Sequence, residues 1–307
     1  MPTTNAGLYL NKYVAPQLLR DLKDYNEGFM SILRTAPQAA VTADGIRWNK
    51  LINNIGFYVN NTANFTPKKM TGENVIVGWE KYDTDPTEVD DAEIRYLQFD
   101  KRSEVRAMHV SKCCEGLTKH SLHKLAPDNN TSEKMPVMVT TGKTFNGRKR
   151  LTFEDLANYL EKVKNIGELD ASQFYLMLCP PHVTDLLLDR DAAAYIANKD
   201  VFFDPVSGKV RSFMGFKFYE PMVANAYTSA LVKKPKNSAM ATGDQFASTF
   251  VYAPNTVRHL EKLKILYKTE YEDTRNADPK SEIRIQVYGI IDRIEDFGMG
   301  AIVSANA

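Results

Sequence analysis

Asp91 to Pro127 reads DAEIRYLQFDKRSEVRAMHVSKCCEGLTKHSLHKLAP, with no proline before Pro127 and one glycine, Gly116. Charged and apolar residues mix at helical spacing: Val105 with Met108, Val110 with Cys113 and Cys114, then Leu117. This predicts a long helix with one partly buried stripe. Asp90 and Asp91 suit its positive N-terminal end, and Lys119, His120, His123 and Lys124 its negative C-terminal end. Pro127 stops it. If about 25 residues are helical, the rod is roughly 37 Å long. A helix of that length spans a whole domain and reads as a spine.

Upstream, residues 1–14 are polar and unpatterned, an arm. Pro16–Leu33 reads as a short helix, with Pro16 near its first turn, Leu18, Leu19 and Leu22 on one face, and Gly28 weakening its end. From Thr42 to Glu88 the period falls to two: Ile46 and Trp48 alternate with Arg47 and Asn49, and Ile55, Phe57 and Val59 repeat the pattern. NNTANFTPKKMTGEN (Asn60–Asn74) is a polar tip, and Asn74–Lys81 returns as a strand. The result is a projecting hairpin with too few buried positions to stand as a domain. Trp48, Phe57 and Trp79 on its strands are of the kind that anchor interfaces.

Downstream, Met135–Val139 reads as a short strand and GKTFNGRKR (Gly142–Arg150) as a basic loop. Leu151–Lys164 is an amphipathic helix, with Thr152 as its cap and Glu154 and Asp155 in the first turn. Phe174–Cys179 is a continuous apolar run, the mark of a strand buried on both faces. Pro180-Pro181 breaks it, and helices follow at His182–Leu188 and Ala192–Ala197. A turn at Asp204–Gly208 leads to strands through Val210 and Phe216–Tyr219, completing a compact α/β region. The remainder is extended: Thr249–Tyr252, then alternating Leu263, Ile265, Tyr267 and Ile283, Ile285, Val287, a pattern that predicts antiparallel pairing.

The chain has 307 residues, 43% hydrophobic and 25% charged, so one large or two ordinary soluble domains are expected. A net charge of +1 argues against a dedicated nucleic-acid binder but permits an inner surface that faces nucleic acid. Three cysteines, Cys113, Cys114 and Cys179, form no disulfide framework and suit a reducing compartment. The N-terminal residues lack a basic region followed by an apolar core, so no signal peptide is expected, and no apolar run approaches the roughly 20 residues of a membrane helix.

Catalytic and metal-binding patterns are weak. Gly142-Lys143-Thr144 resembles the end of a phosphate-binding loop, but Val137 stands where that loop needs its first glycine. His109 and Cys113 share a helical face, whereas His120 and His123 lie two to three turns on and do not converge with them, so the expectation is buried thiols, exposed histidines and no metal. Cys179-Pro180-Pro181-His182 puts a thiol near an imidazole, at the end of an apolar strand that favours a structural cysteine. There is no GxSxG, HExxH or EF-hand calcium loop. Asp83, Asp85, Asp90 and Asp91 read as solvating the base of the hairpin, and Lys233, Lys234 and Lys236 as a solvated basic loop.

The order of arm, short helix, long hairpin, spine helix, α/β region and returning strands resembles the major capsid protein of tailed bacteriophages, the Hong Kong phage type shared with encapsulins. Two segments carry the resemblance. FDKRSEVRAMHVSKCCEGLTKHSLHKLAP is similar to the spine of short phage capsid proteins. LTFEDLANYLEKVKNIGELDASQFYLMLCPPHVTDLLLDRDA, continued by VRSFMGFKFYEPM with Gly215-Phe216-Lys217-Phe218-Tyr219, resembles the axial-domain core. The likeness covers roughly residues 42 to 307.

It implies an α+β fold: an N-terminal arm and short helix (1–41), an E-loop hairpin (42–90), a peripheral domain with the spine helix (91–149), an α/β axial domain (150–253) and returning strands of the peripheral domain (254–307). It also implies a structural, non-enzymatic subunit of a virion, with no cofactor and no metal, assembled in the host cytoplasm into an icosahedral shell. Its partners are then other copies of itself in hexamers and pentamers, a portal, scaffold or decoration proteins, and packaged DNA as non-specific contents. The candidate assembly residues are Trp48, Phe57, Phe65, Lys68, Lys69 and Trp79. No long coiled-coil segment precedes the body, which implies a separate scaffold or none. Some members of the family cross-link lysine to asparagine; no partner asparagine or carboxylate can be assigned to Lys68 or Lys69. Two other readings stand beside this one: an encapsulin-like compartment for cargo enzymes, and an α/β enzyme using Cys179 or His182.

Overall fold

The computed structural model describes residues 28–51, 59–62, 64–67, 69, 72–90, 101–167, 169–189, 215–261, 264–273, 275–277 and 279–306. Most of the expected arm and short helix, the strand around Phe57, the first ten residues of the long helix, the helix at Ala192–Ala197 and the strand at Val210 lie outside the described residues. Where description begins, Gly28–Ile32 forms a 3-10 turn.

The hairpin is built from β1 (Val41–Thr42), β2 (Gly45–Leu51) and β3 (Gly72–Gly78), antiparallel in that order. The extended run expected to return through Lys81 breaks at Trp79. It resumes as β4 (Glu80–Asp83), followed by β5 (Thr87–Asp90), and both pair with a strand some 200 residues later in the chain. One stretch of chain thereby serves two sheets.

The long helix is present as α1 (Lys101–Leu125), 25 residues. Its buried stripe is offset from the expected one. Val105, His109 and Cys113 face inward at four-residue spacing, while Val110 is exposed. Stripe and sheet match because the 14-residue strand β15 (Lys280–Arg293) alternates, presenting Ser281, Ile283, Ile285 and Val287 inward. Val105 packs with Val89 and Ile283, and Cys113 with Ile285 and Val287. Alongside β15 run β13 (Thr256–Leu260) and β14 (Lys264–Lys268), both antiparallel to it.

The second sheet is assembled from distant parts of the chain. Its members are β6 (Val137–Val139), β9 (Phe174–Met177), β10 (Lys217–Tyr219), β11 (Asn225–Tyr227), β12 (Gln245–Tyr252) and β16 (Met299–Val303). The order is β10-β9-β12-β16-β6, with β11 also on β12. A division of the sequence at residue 254 would keep the later strands together. The hydrogen bonding distributes them: β13 to β15 join the sheet under α1, and β16 joins this one.

Against the second sheet lies α2 (Phe153–Lys164), opened by the expected Thr152 cap, which forms a capping box with Asp155. Leu156, Tyr159 and Val163 bury against Phe174, Leu176, Phe216, Phe250 and Ile302. Tyr159 donates from its hydroxyl to Pro136 O (3.2 Å), and a Cβ on Gly300 would lie 1.9 Å from that hydroxyl, so only glycine allows this approach. The proline pair ends the apolar strand as expected, and the helix expected from His182 begins two residues earlier. Pro180 opens α3 (Pro180–Leu188), because a proline in the first turn has no N–H to waste and its φ suits a helix. The basic stretch 142–150 is a small hairpin, β7 (Thr144–Phe145) and β8 (Arg148–Lys149). It turns on Asn146 and Gly147, both at positive φ, the backbone of a tight two-residue hairpin.

Between the sheets sits a shared core of Phe29, Leu33, Leu122, Leu125, Met177, Val251, Ile291 and Met299, drawn from the start of the described chain, the end of α1 and strands of both sheets. Among the described residues no helix is long and apolar enough to cross a membrane.

Candidate assembly surface

The hairpin has a root and a tip of opposite character. In β2–β3, Ile46 lies opposite Val77 and Trp48 opposite Val75. Directly opposed residues share a face. This inner face closes on Ala36, Val257, Ile290 and Ile294. Gly45 sits at φ 144°, and a Cβ there would fall 2.1 Å from Val77 O, so the first register position requires glycine.

Both tryptophans belong to this root. Trp79 donates from Nε1 to Thr42 O (3.0 Å) and meets the His259 ring edge-on. Trp48 is half-buried, with the Arg34 guanidinium 5.0 Å from its ring centre. Their indoles fasten the hairpin to the rest of the chain.

The described part of the tip is exposed. Phe65 is 71% and Val59 74% exposed, and Asn60, Asn61, Thr62 and Lys69 are exposed too. Of the six candidate residues, Trp48 and Trp79 are brought together at the root, and Phe65 and Lys69 stand at the tip. Phe57 and Lys68 lie outside the described residues.

Charged side chains expected in solvent are instead used to join elements. His109 is buried, hydrogen-bonded through its ring nitrogens to Thr84 (2.8 Å) and Thr87 (2.9 Å). Burial holds its pKa below the ordinary imidazole value, against the pull of Asp85. Glu80 on β4 meets His120 (2.5 Å) and Lys124 (3.0 Å) of α1, and Lys124 reaches Asp292 on β15 (3.3 Å). Burial works against the ionised Glu80 carboxylate. Hydrogen bonds from Lys124, Tyr82 and His120 outweigh it and hold the pKa below the ordinary value.

Lys233 and Lys234 do not form a solvated patch. Lys233 Nζ donates to His123 O (2.7 Å) and Ala126 O (2.9 Å) and pairs with Asp128 (2.7 Å), placing a cation on the negative end of α1. Lys234 pairs with Asp244. Two of the acidic residues at the hairpin base are also paired: Asp83 with Lys81 on the same strand, and Asp90 with Lys280 on β15.

Cys179 and His182 sit deep beneath the second sheet, 1% and 0% exposed. His182 Nδ1 hydrogen-bonds with Ser248 Oγ (2.7 Å) and Nε2 with Ser304 Oγ (2.9 Å). Ser248 Oγ also accepts from the Cys179 N–H (3.0 Å). Burial pushes the Cys179 thiol up to about 11 and His182 down to about 4. A protonated thiol and a neutral imidazole, closed off from solvent, make a packing network rather than a nucleophile and its base. Beside them Arg148 clamps Asp185 bidentately (2.5 and 2.9 Å), and the Leu151 N–H donates to the same carboxylate (3.1 Å). Arg148 therefore ties the β7–β8 hairpin to α3, and Arg150 stacks over the Phe145 ring at 4.2 Å.

No protein-family model and no curated protein sequence matches the chain. Solved structures do. The capsid of cyanophage P-SCSP1u aligns over 97% of this chain and 94% of its own, with a TM-score of 0.65 at 13% identity. The acid-stable capsid of Helicobacter pylori bacteriophage KHP30 aligns over 98% and 97%, with a TM-score of 0.67 at 10% identity. The cyanophage Pam1 capsid aligns over 97% of each chain, with a TM-score of 0.67 at 10% identity. The fold is that of phage capsid proteins, along the whole chain.

Proposed function

We propose that this chain is the major capsid protein of a tailed phage, a structural subunit that self-assembles into an icosahedral virion shell around the genome. The observation that carries the reading is the end-to-end likeness to phage capsid chains, hairpin included. A fold shared over only a core would leave room for other uses. The exposed, polar hairpin tip adds support, because it contributes little to its own subunit's core and suits a contact made on assembly.

In this reading residues 1–41 are the arm and short helix, 42–90 the E-loop, 91–149 and 254–307 the peripheral domain, and 150–253 the axial domain, whose sheet also takes β6 and β16. Phe57, Phe65, Lys68 and Lys69 meet a neighbouring subunit, and Trp48 and Trp79 hold the root. Further partners are a portal and scaffold or decoration proteins. DNA is enclosed as non-specific contents, consistent with a net charge of +1. That the solved structures named above are phage capsids favours a genome over cargo enzymes as the contents.

Negative-stain microscopy of the purified protein, alone and with a co-expressed scaffold, tests the proposal. Closed hollow particles are expected. Homogeneous monomers under every scaffold and salt condition would overturn it.

A further inference from the structure

Among the described residues three stretches of chain cross between the two sheets: the segment from α1 to β6, the step from β12 to β13, and the step from β15 to β16. The last two are neighbours. β12 pairs with β16 up to Val251–Met299, and β13 pairs with β15 from Thr256–Arg293. Between these registers the ladder is interrupted. Residues 253–255 make one 3-10 turn, and 294–298 bulge opposite them.

One side chain closes the interruption. Asn255, 4% exposed, donates from Nδ2 to both Glu295 O (2.8 Å) and Phe297 O (2.6 Å). Its Oδ1 accepts from Glu295 N–H (3.1 Å), and its backbone carbonyl accepts from Ile294 N–H (3.0 Å). An amide offers two donors and an acceptor, and here all are spent on the backbone of the facing bulge. The hairpin root lies immediately beyond, packed on Val257, Ile290 and Ile294. Whatever angle the bulge sets between the sheets also sets the direction of the hairpin.

We propose that Asn255 is the lock of an inter-sheet hinge: its side chain fixes the angle between the sheet under α1 and the second sheet, and with it the direction of the hairpin and the curvature of the assembled shell. The part concerning the shell rests on the capsid reading above; the part concerning the angle does not. The other crossing is held differently. Arg293 donates to Lys124 O, Ala126 O and Asp128, and Gly298 N–H to Lys134 O. Those bonds tie the end of α1 to the bulge from the outside; within it Arg293 also donates to Asp296 (2.7 Å) and the Phe297 N–H to Glu295 O (2.9 Å), and the Asn255 side chain bridges it to the turn at 253–255.

The test uses two variants. Asn255→Asp keeps the shape and the acceptor but loses both donors, and Asn255→Ala removes all three side-chain bonds. Distances between spin labels on bioorthogonal residues at Tyr271 and Phe145, one near each sheet, read the angle in unassembled subunits, and microscopy reads particle diameter. Both positions are exposed. Broadened distance distributions in both variants, with shells of mixed diameter in place of a single class, are expected. Wild-type distance distributions in folded variants would overturn the hinge, whether or not shells form. Unfolding of both variants would also overturn it, because Asn255 would then be a core residue rather than a lock. If the wild type makes no shells under any scaffold and salt condition, the capsid reading fails and the label distances alone decide the hinge. If the variants show broadened distances but shells of wild-type diameter, the link from hinge to curvature fails.

Discussion

Replacing residues 60–69 by a four-residue glycine-serine link should leave the subunit folded and abolish the shell. The described side chains of this stretch are all exposed, so their removal uncovers no core. Shortening the connection between β2 and β3 changes loop closure by only about 0.3 kcal/mol. The cut must stop short of β3, since Val77 and Trp79 belong to the root. A root variant provides the contrast. Ile46 is fully buried, and Ile46→Ala should cost on the order of 3 kcal/mol and lower Tm by roughly 6–10 °C. Thermal melts and sedimentation velocity read both effects on the same samples. The tip variant should melt within about a degree of the wild type and sediment only as small species, since the slope is only a few degrees per kcal/mol. The Ile46→Ala variant should melt lower yet still form fast-sedimenting particles at low temperature. A tip variant that melts several degrees lower, or that forms normal shells, would refute the separation of root from arm.

Arg148→Ala leaves the buried Asp185 carboxylate without its bidentate partner and should cost about 3–5 kcal/mol in urea unfolding; a loss under 1 kcal/mol would show that the Leu151 N–H and Arg150 suffice. His182 binds its proton in the unfolded chain near pH 6.5 but in the folded chain only near pH 4. Its contribution is therefore intact above pH 6.5 and is lost as pH falls toward 4, by on the order of 3 kcal/mol. Melts at pH 7, 5.5 and 4.5 should fall less steeply for His182→Asn than for the wild type, and parallel curves would contradict this. Among the described residues no group of three metal-binding side chains gathers. A chelator should leave Tm and assembly unchanged, and Cys113→Ser with Cys114→Ser should still assemble; assembly lost to the chelator and restored by zinc would refute this.

The long helix, the capped helix at 153–164, the buried strand after it and the hairpin were legible because each is announced by local chemistry: period, cap or apolar run. What stayed hidden depends on partners far along the chain. Lys233 looks solvated until α1 ends beside it, 110 residues away in sequence. His109 looks exposed until Thr84 and Thr87 are placed on either side. The offset of the α1 stripe follows from which face β15 offers, and no property of the helix alone selects it. One signal was local and misread: Asn146-Gly147 is a hairpin turn within a stretch whose charge drew attention first, whereas Pro180-Pro181 ends the strand as expected and also supplies the first turn of the helix. For the candidate surface, the sequence separated polar tip from strands but could not tell that the tryptophans face inward.

The place of β16 bears on when the subunit becomes complete. It lies between β12 and β6, and its Ala301 pairs with Val137, ~160 residues earlier. During synthesis β6 leaves the ribosome long before the strand it needs, and β12 waits with one edge open. Pairing over such a separation is slow and carries a large entropy of closure. The second sheet therefore closes only after residues 299–303 have emerged, and nascent chains lacking them present an unfinished sheet. On the capsid reading, a copy truncated before residue 299 therefore has no finished second sheet to bring to a growing lattice.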